Sequence, residues 1–136
     1  MVEHDPDVIG AAEWIVELGP GAGERGGQLL HEGPIESWPG RRAHVEFPAR
    51  DSRFRLPSAK RSVGWIEVRG AREHNLKNVS TRFPVGALSG VCGVSGSGKS
   101  TLVEDVLYRA AARAVGEDAL VPGAHDDVTG LEGCSR

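Results

Sequence analysis

Two short apolar runs in the first part of the chain predict a β-hairpin. Residues 14–18 are apolar and partly β-branched, which favours a strand, and residues 28–31 predict the returning strand, ending before Gly33. Glycines and a proline over 19–23 interrupt the apolar pattern between the two runs, as a turn requires. Ahead of the hairpin, residues 5–12 have the cap and the apolar spacing of a short helix.

The pattern from residue 63 onward predicts three more strands and one helix. Apolar and polar residues alternate over 65–69, and 76–83 can form a second strand after a turn. The small apolar residues of 87–92 suit a strand that is buried on both faces. The best helix of the chain spans 99–115, and Gly116 is placed to end it. Its buried face is expected to carry Leu102, Val106, Ala110 and Ala114.

The composition narrows the class of protein. Only 5% of the 136 residues are aromatic, which argues against a large self-sufficient core and indicates a fragment of a larger fold. No apolar run approaches the ~20 residues of a membrane helix. The N-terminus lacks the basic and apolar regions of a secretory signal. Cys92 and Cys134 form no zinc-binding spacing, so a reducing, cytoplasmic location without membrane contact is expected.

The composition divides the chain into three segments. Residues 1–36 are acidic and carry the predicted hairpin, whereas 37–62 are rich in arginine and proline and lack a clear period. Residues 63–136 carry the remaining predicted elements. A basic stretch can contact a phosphate backbone through residues such as Arg41 and Arg42, but a solvated linker is the preferred interpretation of 37–62.

One motif carries chemistry. The stretch 93–100 fits G-x-x-x-x-G-K-[ST], and it stands between the predicted buried strand and the predicted helix, which is the context that a phosphate-binding loop requires. Its glycines permit positive φ angles and a close approach of phosphate oxygens to the backbone. Lys99 supplies a charge to the β- and γ-phosphates, and the Ser100 hydroxyl is placed to ligate Mg²⁺. The candidate nucleotide-binding residues are Gly93, Val94, Ser95, Gly96, Ser97, Gly98, Lys99, Ser100 and Thr101.

Several stretches resemble one family of ATPases. The loop GVSGSGKST resembles that of an ABC-type ATPase, and residues 66–79 resemble the entry to the second nucleotide-binding domain of UvrA, the damage-recognition subunit of the bacterial UvrABC excision nuclease. Residues 2–9 and 17–27 resemble the end of the first nucleotide-binding domain of that family, and 122–133 resemble the stretch after the second P-loop helix. The resemblance covers most of the chain outside 37–62.

The resemblance implies an α/β fold made of incomplete ABC-type ATPase domains, with a mixed sheet, a P-loop strand and a P-loop helix. Residues 1–36 are then the tail of the first domain, 37–62 the interdomain linker and 63–136 the start of the second domain. The implied cofactors are ATP and Mg²⁺. His4 is implied to be the switch histidine of the first ATP site. The implied partners are damaged double-stranded DNA, the B subunit of the nuclease and a second copy of the full-length protein.

Other parts of the family's pattern are absent from the sequence. There is no Leu-Ser-Gly-Gly signature, no apolar strand ending in Asp-Glu and no zinc module, so zinc is expected only in other parts of the family. We therefore expect an internal slice of a longer chain that is inactive as an ATPase by itself. Two alternatives remain open from the residues: another P-loop protein, such as a transporter ATPase subunit or a kinase, or a non-catalytic DNA-binding fragment with a vestigial loop.

Overall fold

The computed structural model describes residues 9–40, 63–117 and 120–134, which form an α/β arrangement of two three-stranded sheets, one long helical stretch and two 3₁₀ turns, Gly23–Arg25 and Ile35–Ser37. The first sheet has the order β2-β1-β5 and is mixed; the second has the order β4-β3-β6 and is antiparallel. The strands are β1 (Trp14–Gly19), β2 (Gln28–Pro34), β3 (Trp65–Ala71), β4 (Val79–Pro84), β5 (Ser89–Cys92) and β6 (Asp127–Thr129).

The predicted hairpin is confirmed, and its partner comes from far along the chain. Strands β1 and β2 pair antiparallel, with a register shift between Glu17 and Leu18, and β2 runs three residues beyond the predicted 28–31. The other edge of β1 pairs in parallel with β5, so that Ile15 lies opposite Gly90. The short strand β5 is therefore held in place by β1, which lies more than 70 residues earlier in the sequence.

The second sheet departs from its predicted boundaries at the turn between β3 and β4. Strand β3 continues to Ala71, and β4 begins at Val79 rather than at Leu76. His74 and Asn78 adopt positive φ angles of 49° and 55° in between, and such a left-handed conformation breaks an extended strand. Strand β6 was not predicted, because its three residues are too few to show a period.

The predicted helix is confirmed in extent and corrected in its inner face. Helical residues run through 99–114, with π-helical turns over Thr101–Tyr108 and the α-helix α1 over Arg109–Ala114. Leu102 and Val106 are buried as expected, but Ala114 is exposed and Ala112 is buried instead. A π-helical turn uses more residues than an α-helical turn, so the inward position that follows Val106 moves from Ala110, which is only partly buried, to Ala112. Gly116, with φ of 88°, follows the last turn as predicted.

The core is formed on both faces of the first sheet. On one face, Val16 and Leu18 of β1 pack with Leu102 and Val106 of the helix and with the second sheet. The members of this cluster from the second sheet and the adjoining turn are Val68, Ala71, Leu76, Val79 and Phe83. On the other face, Ile15 packs with Ile9, Ala12, Ile35, Trp38 and Cys92. Burial of this kind supplies most of the stabilising free energy of a small fold.

A polar and aromatic cluster joins the two sheets at their edge. The Arg82 guanidinium lies 4.4 Å from the ring centroid of Trp65 and 3.1 Å from a carboxylate oxygen of Glu32. The Trp14 and Trp65 rings meet edge to face at 4.9 Å, and the Trp14 indole N–H donates to the Arg82 carbonyl. The other Glu32 oxygen accepts hydrogen bonds from the Thr81 hydroxyl and from the Arg82 N–H. Strands from distant parts of the sequence are thereby held side by side.

Candidate functional site

The loop 93–98 leaves β5 and enters the helix in a conformation that only glycine adopts readily. Gly93, Gly96 and Gly98 have φ angles of 141°, 77° and 106°, as the sequence predicted. At Gly93 a side chain is also excluded by space, because a Cβ would overlap the Leu18 carbonyl oxygen and lie 2.8 Å from the Ser97 hydroxyl oxygen. The loop is therefore seated directly on the end of β1.

Lys99 folds back across this loop. Its Nζ donates to the carbonyl oxygens of Gly93 at 2.8 Å and Val94 at 2.9 Å. Among the residues that the structure describes, the backbone N–H groups of Ser95, Gly96 and Gly98 donate to no protein acceptor. An ammonium group beside free backbone donors at the start of a helix is an arrangement that favours an anion.

A second glycine-rich loop, 19–27, packs along loop 93–98. The Gly23 N–H donates to the Gly96 carbonyl at 3.0 Å, and the Gly27 N–H donates to the Ser97 carbonyl at 2.9 Å. Gly26 and Gly27 are buried where the two loops meet. The turn between β3 and β4 completes this packing, since the Asn75 side chain contacts both loops.

An open depression of about 460 Å³ lies where this turn meets loop 19–27. It is lined by Gly23, Glu24, His74, Asn75, Leu76 and Lys77. The Lys77 ammonium donates to the Glu24 carbonyl, so a hydrogen bond joins two residues of this lining. The depression borders loop 93–98 through Asn75, whose amide also contacts the Gly96 carbonyl at 3.0 Å.

Near the first helical turn, the His74 side chain lies beside the helix. Its Nδ1 lies 3.4 Å from the Thr101 hydroxyl and 3.8 Å from an Asp105 carboxylate oxygen. The ring is largely exposed, and its Nε2 lies 3.6 Å from a Glu73 oxygen. Its partners on the helix, Thr101 and Asp105, are 27 or more residues away in the sequence, so no local pattern marks the contact with the helix.

Ser100 is the residue of this site whose hydroxyl is predicted to bind a metal ion. The residue is exposed at the start of the helix, directly after Lys99. The described part of the chain contains no group of three or more His, Cys, Asp or Glu residues that could hold a metal ion. A divalent ion at Ser100 would therefore depend on ligands from a bound nucleotide, a mode that suits Mg²⁺, which is commonly held by few protein ligands and by phosphate oxygens.

Behind the loop, Cys92 is a buried thiol at the end of β5. Its side chain lies in the apolar cluster with Ile15 and Trp38, opposite Glu17 in the parallel register. Burial, with a further contribution from the Glu17 carboxylate, raises the pKa of Cys92 from its ordinary value of 9.0 to about 12. The thiol is therefore protonated at neutral pH and packs as a small residue of the apolar cluster.

Some predicted residues lie outside the described ranges. His4, Arg41 and Arg42 belong to this group, as does most of the predicted linker 37–62. Among the described residues, no helix is long and apolar enough to cross a membrane. Residues 93–101, in contrast, are all described and form one continuous loop and helix start, as their motif predicted.

Comparison with known proteins identifies the family. No protein-family model matches the chain. UvrABC system protein A of Clostridium acetobutylicum is 41% identical over 140 residues, which cover 100% of this chain and 15% of that protein. The protein of the same name from Mycobacterium tuberculosis is 45% identical over 138 residues, covering 97% of this chain and 14% of its own. The chain belongs to the UvrA family, as an internal segment of it. UvrA2 from Deinococcus radiodurans, a solved structure, is 40% identical and covers 87% of this chain and 15% of its own, with a TM-score of 0.41.

The UvrA match confirms the resemblance that the sequence motifs predicted. It extends over nearly the whole chain, including the stretch 37–62 that resembled the family only in character. The chain nevertheless spans about 15% of the length of the UvrA relatives it matches. The match favours UvrA over a transporter subunit or a kinase as the source of the loop.

Proposed function

We propose that loop 93–98 and the start of the following helix bind the phosphates of ATP, as the nucleotide-binding part of a UvrA-like DNA-repair ATPase. The observation that carries this proposal is the Lys99 ammonium, which lies against the Gly93 and Val94 carbonyls beside backbone N–H groups that have no protein acceptor among the described residues. The buried strand β5 and the helix hold the two ends of this loop.

Each residue has a role that follows from its chemistry. The N–H groups of Ser95, Gly96 and Gly98 donate to phosphate oxygens, and Lys99 neutralises charge on the β- and γ-phosphates. Ser100 supplies its hydroxyl to Mg²⁺, and the phosphates supply the other ligands together with water. When bound, the Mg²⁺–ATP complex provides the phosphoanhydride bond that a complete ATPase cleaves.

We further propose that the 136-residue chain binds the nucleotide without turning it over. Hydrolysis by ABC-type ATPases needs a catalytic carboxylate and a signature loop from the opposing domain, and the sequence contains neither motif. His4, the proposed switch histidine, acts in the first ATP site of the longer protein, and therefore not at the loop of Lys99.

In that longer protein, the proposed partners are damaged double-stranded DNA, the B subunit of the excision nuclease and a second copy of the protein, in the cytoplasm. The proposed organisation assigns 1–36 to the end of the first nucleotide-binding domain, 37–62 to a linker and 63–136 to the start of the second. Relatives named as protein A of the UvrABC system support this proposal.

The test is the substitution Lys99→Ala in the 136-residue chain, with Mg-ATP binding measured by isothermal titration calorimetry. Losing charge-assisted hydrogen bonds to phosphate should weaken binding by about 10- to 100-fold. The fold should survive, because Lys99 is partly exposed and alanine has the best helix propensity. Phosphate release should stay at background in both the parent chain and the variant.

Arg113→Ala is the matched control, because it removes the same charge from an exposed position at the far end of the same helix. Its affinity for Mg-ATP should equal that of the parent chain. Parent-like binding by Lys99→Ala would place the nucleotide elsewhere, and an absence of binding by the parent chain would favour a vestigial loop.

A further inference from the structure

The side-chain amide of Asn75 sits between two loops that are far apart in the sequence. Its Nδ2 donates to the Gly23 carbonyl at 3.1 Å and to the Gly96 carbonyl at 3.0 Å. An asparagine amide has two N–H donors, so both are engaged by these carbonyls. The residue is half-buried at the edge of the depression, with its amide turned toward the loops.

These two bonds belong to a set that fixes the carbonyl side of loop 93–98. Gly23 donates to the Gly96 carbonyl, and Gly27 donates to the Ser97 carbonyl. Gly27 is itself held by the Lys77 N–H, which donates to its carbonyl at 2.8 Å. The turn that carries Asn75 therefore contacts loop 19–27 at both ends of its packing against loop 93–98.

Hydrogen bonds that fix the carbonyl groups of loop 93–98 also fix the direction of the N–H groups in the same peptide units. A trans peptide unit is planar and directs its N–H opposite its C=O. Since the Ser97 carbonyl points to Gly27, the N–H of the same peptide unit, that of Gly98, points away from loop 19–27. A Cβ at Gly98 would lie 2.8 Å from Leu76 Cδ2 and 3.2 Å from Asn75 Oδ1, so the turn also limits where this part of the loop can move.

We infer that Asn75 is a positioning residue for the nucleotide site: it ties loop 93–98 to loop 19–27 and thereby holds the loop's backbone donors in the arrangement that receives phosphate. Both N–H donors of its amide are engaged by the two carbonyls, so the proposed role is to hold the loop and not to bind phosphate. This inference rests on the proposed function of loop 93–98 and adds a residue that lies outside its G-x-x-x-x-G-K-[ST] motif.

The expected size of the effect follows from the population of the ordered loop. A ligand that binds only the ordered loop has an apparent dissociation constant equal to the intrinsic one divided by the ordered fraction. Two ordinary hydrogen bonds correspond to about a 10- to 100-fold change in an equilibrium constant. The same factor must apply to every ligand held through its phosphates, whether or not it carries a base.

The experiment compares Mg-ATP with magnesium tripolyphosphate, which has the phosphates but no base. Binding of both is measured by titration calorimetry to the 136-residue chain and to Asn75→Ala. We expect both affinities to fall by the same factor, to at most about 10- to 100-fold below the parent values. Asn75→Ser retains one donor, so its affinity for each ligand should lie between those of the parent chain and Asn75→Ala. This variant provides the readout if the alanine variant does not fold.

Asn78→Ala is the matched control for a merely structural effect. It makes the same change three residues along the same turn, at a left-handed φ of 55° that alanine tolerates poorly, and no hydrogen bond joins Asn78 to loop 93–98. Its melting temperature should fall while its affinities for both ligands stay at the parent values.

The outcomes separate the two proposals. Equal losses for both ligands in the Asn75 variants, with none in Asn78→Ala, support the positioning role. Unchanged affinities, a loss confined to Mg-ATP, or an equal loss in Asn78→Ala would each overturn it, even if Lys99→Ala shows that the loop binds nucleotide. If the parent chain binds neither ligand, the proposed function fails first and the role of Asn75 falls with it.

Discussion

Replacing Gly93 by alanine tests whether the seat of loop 93–98 on β1 is as close as the structure shows. Two separate costs apply. The residue has φ of 141°, and a non-glycine residue in such a backbone region costs about 1–3 kcal/mol. The new Cβ would also overlap the Leu18 carbonyl oxygen, and relieving an overpacked contact costs about 1–3 kcal/mol more.

Comparison with Gly86→Ala separates the cost of the overlap with Leu18 from the cost of the backbone conformation. Gly86 also has a positive φ, of 83°, but it is exposed and has no atom within 4 Å of the position that a Cβ would take. In this variant the free energy of unfolding should fall only by the conformational cost, about 1–2 kcal/mol. Gly93→Ala should lose about 2–6 kcal/mol in total, a large part of the ~5–15 kcal/mol that holds a typical domain.

The assay is equilibrium unfolding in urea, and the fluorescence of Trp14, Trp38 and Trp65 reports the transition. The two midpoints, read with the slopes of the transitions, give the difference in free energy of unfolding. An unfolded Gly93→Ala chain beside a folded Gly86→Ala chain would meet the expectation. Equal losses in the two variants would show that the loop can lift from β1 at no cost, and would refute the close seat.

Two further predictions concern groups outside the loop. Cys92 should resist iodoacetamide at mildly alkaline pH while the partly exposed Cys134 reacts, as mass spectrometry would show. Because the folded pKa of Cys92 is raised to about 12, the unfolded state loses its proton first; the free energy of unfolding should fall as the pH rises above 9.0, and this slope should be absent in Cys92→Ala. Arg82→Met should lower the free energy of unfolding by about 1–2 kcal/mol through loss of the Glu32 ion pair and the Trp65 contact, and an unchanged urea midpoint would contradict this.

Much of the fold could be predicted from short-range patterns. Short apolar runs predicted the strands β1 and β5, and an apolar period predicted the helix that begins at Lys99. The positive φ angles of Gly93, Gly96 and Gly98 followed from the motif. Boundaries failed where one residue adopts an unusual backbone angle. Asn78 ends the turn before β4 in a left-handed conformation, which asparagine adopts more readily than most residues, but the polar and apolar pattern of 76–83 does not show where the turn ends.

The surroundings of the site could not be predicted, because they depend on contacts between distant residues. Asn75 reaches a carbonyl 52 residues earlier in the chain, and His74 reaches a hydroxyl 27 residues later. A sequence pattern reports the spacing within one element, whereas these contacts depend on how elements meet. The parallel pairing of β1 with β5 was missed for the same reason, although each strand was predicted correctly.

The parallel pairing of β1 with β5 also has a consequence for the order in which the molecule folds. Glu13 and Leu88, which hydrogen-bond at the end of this ladder, are 75 residues apart in the chain. Contacts of such sequence separation carry a loop-closure entropy and are slow to form, whereas helical turns such as those of 99–114 form from neighbouring residues. The hairpin must dock before Gly23 and Gly27 can reach Gly96 and Ser97. We therefore expect the proposed phosphate-binding loop at Lys99 to be completed in a late step of folding, after the helix that carries Lys99 has formed.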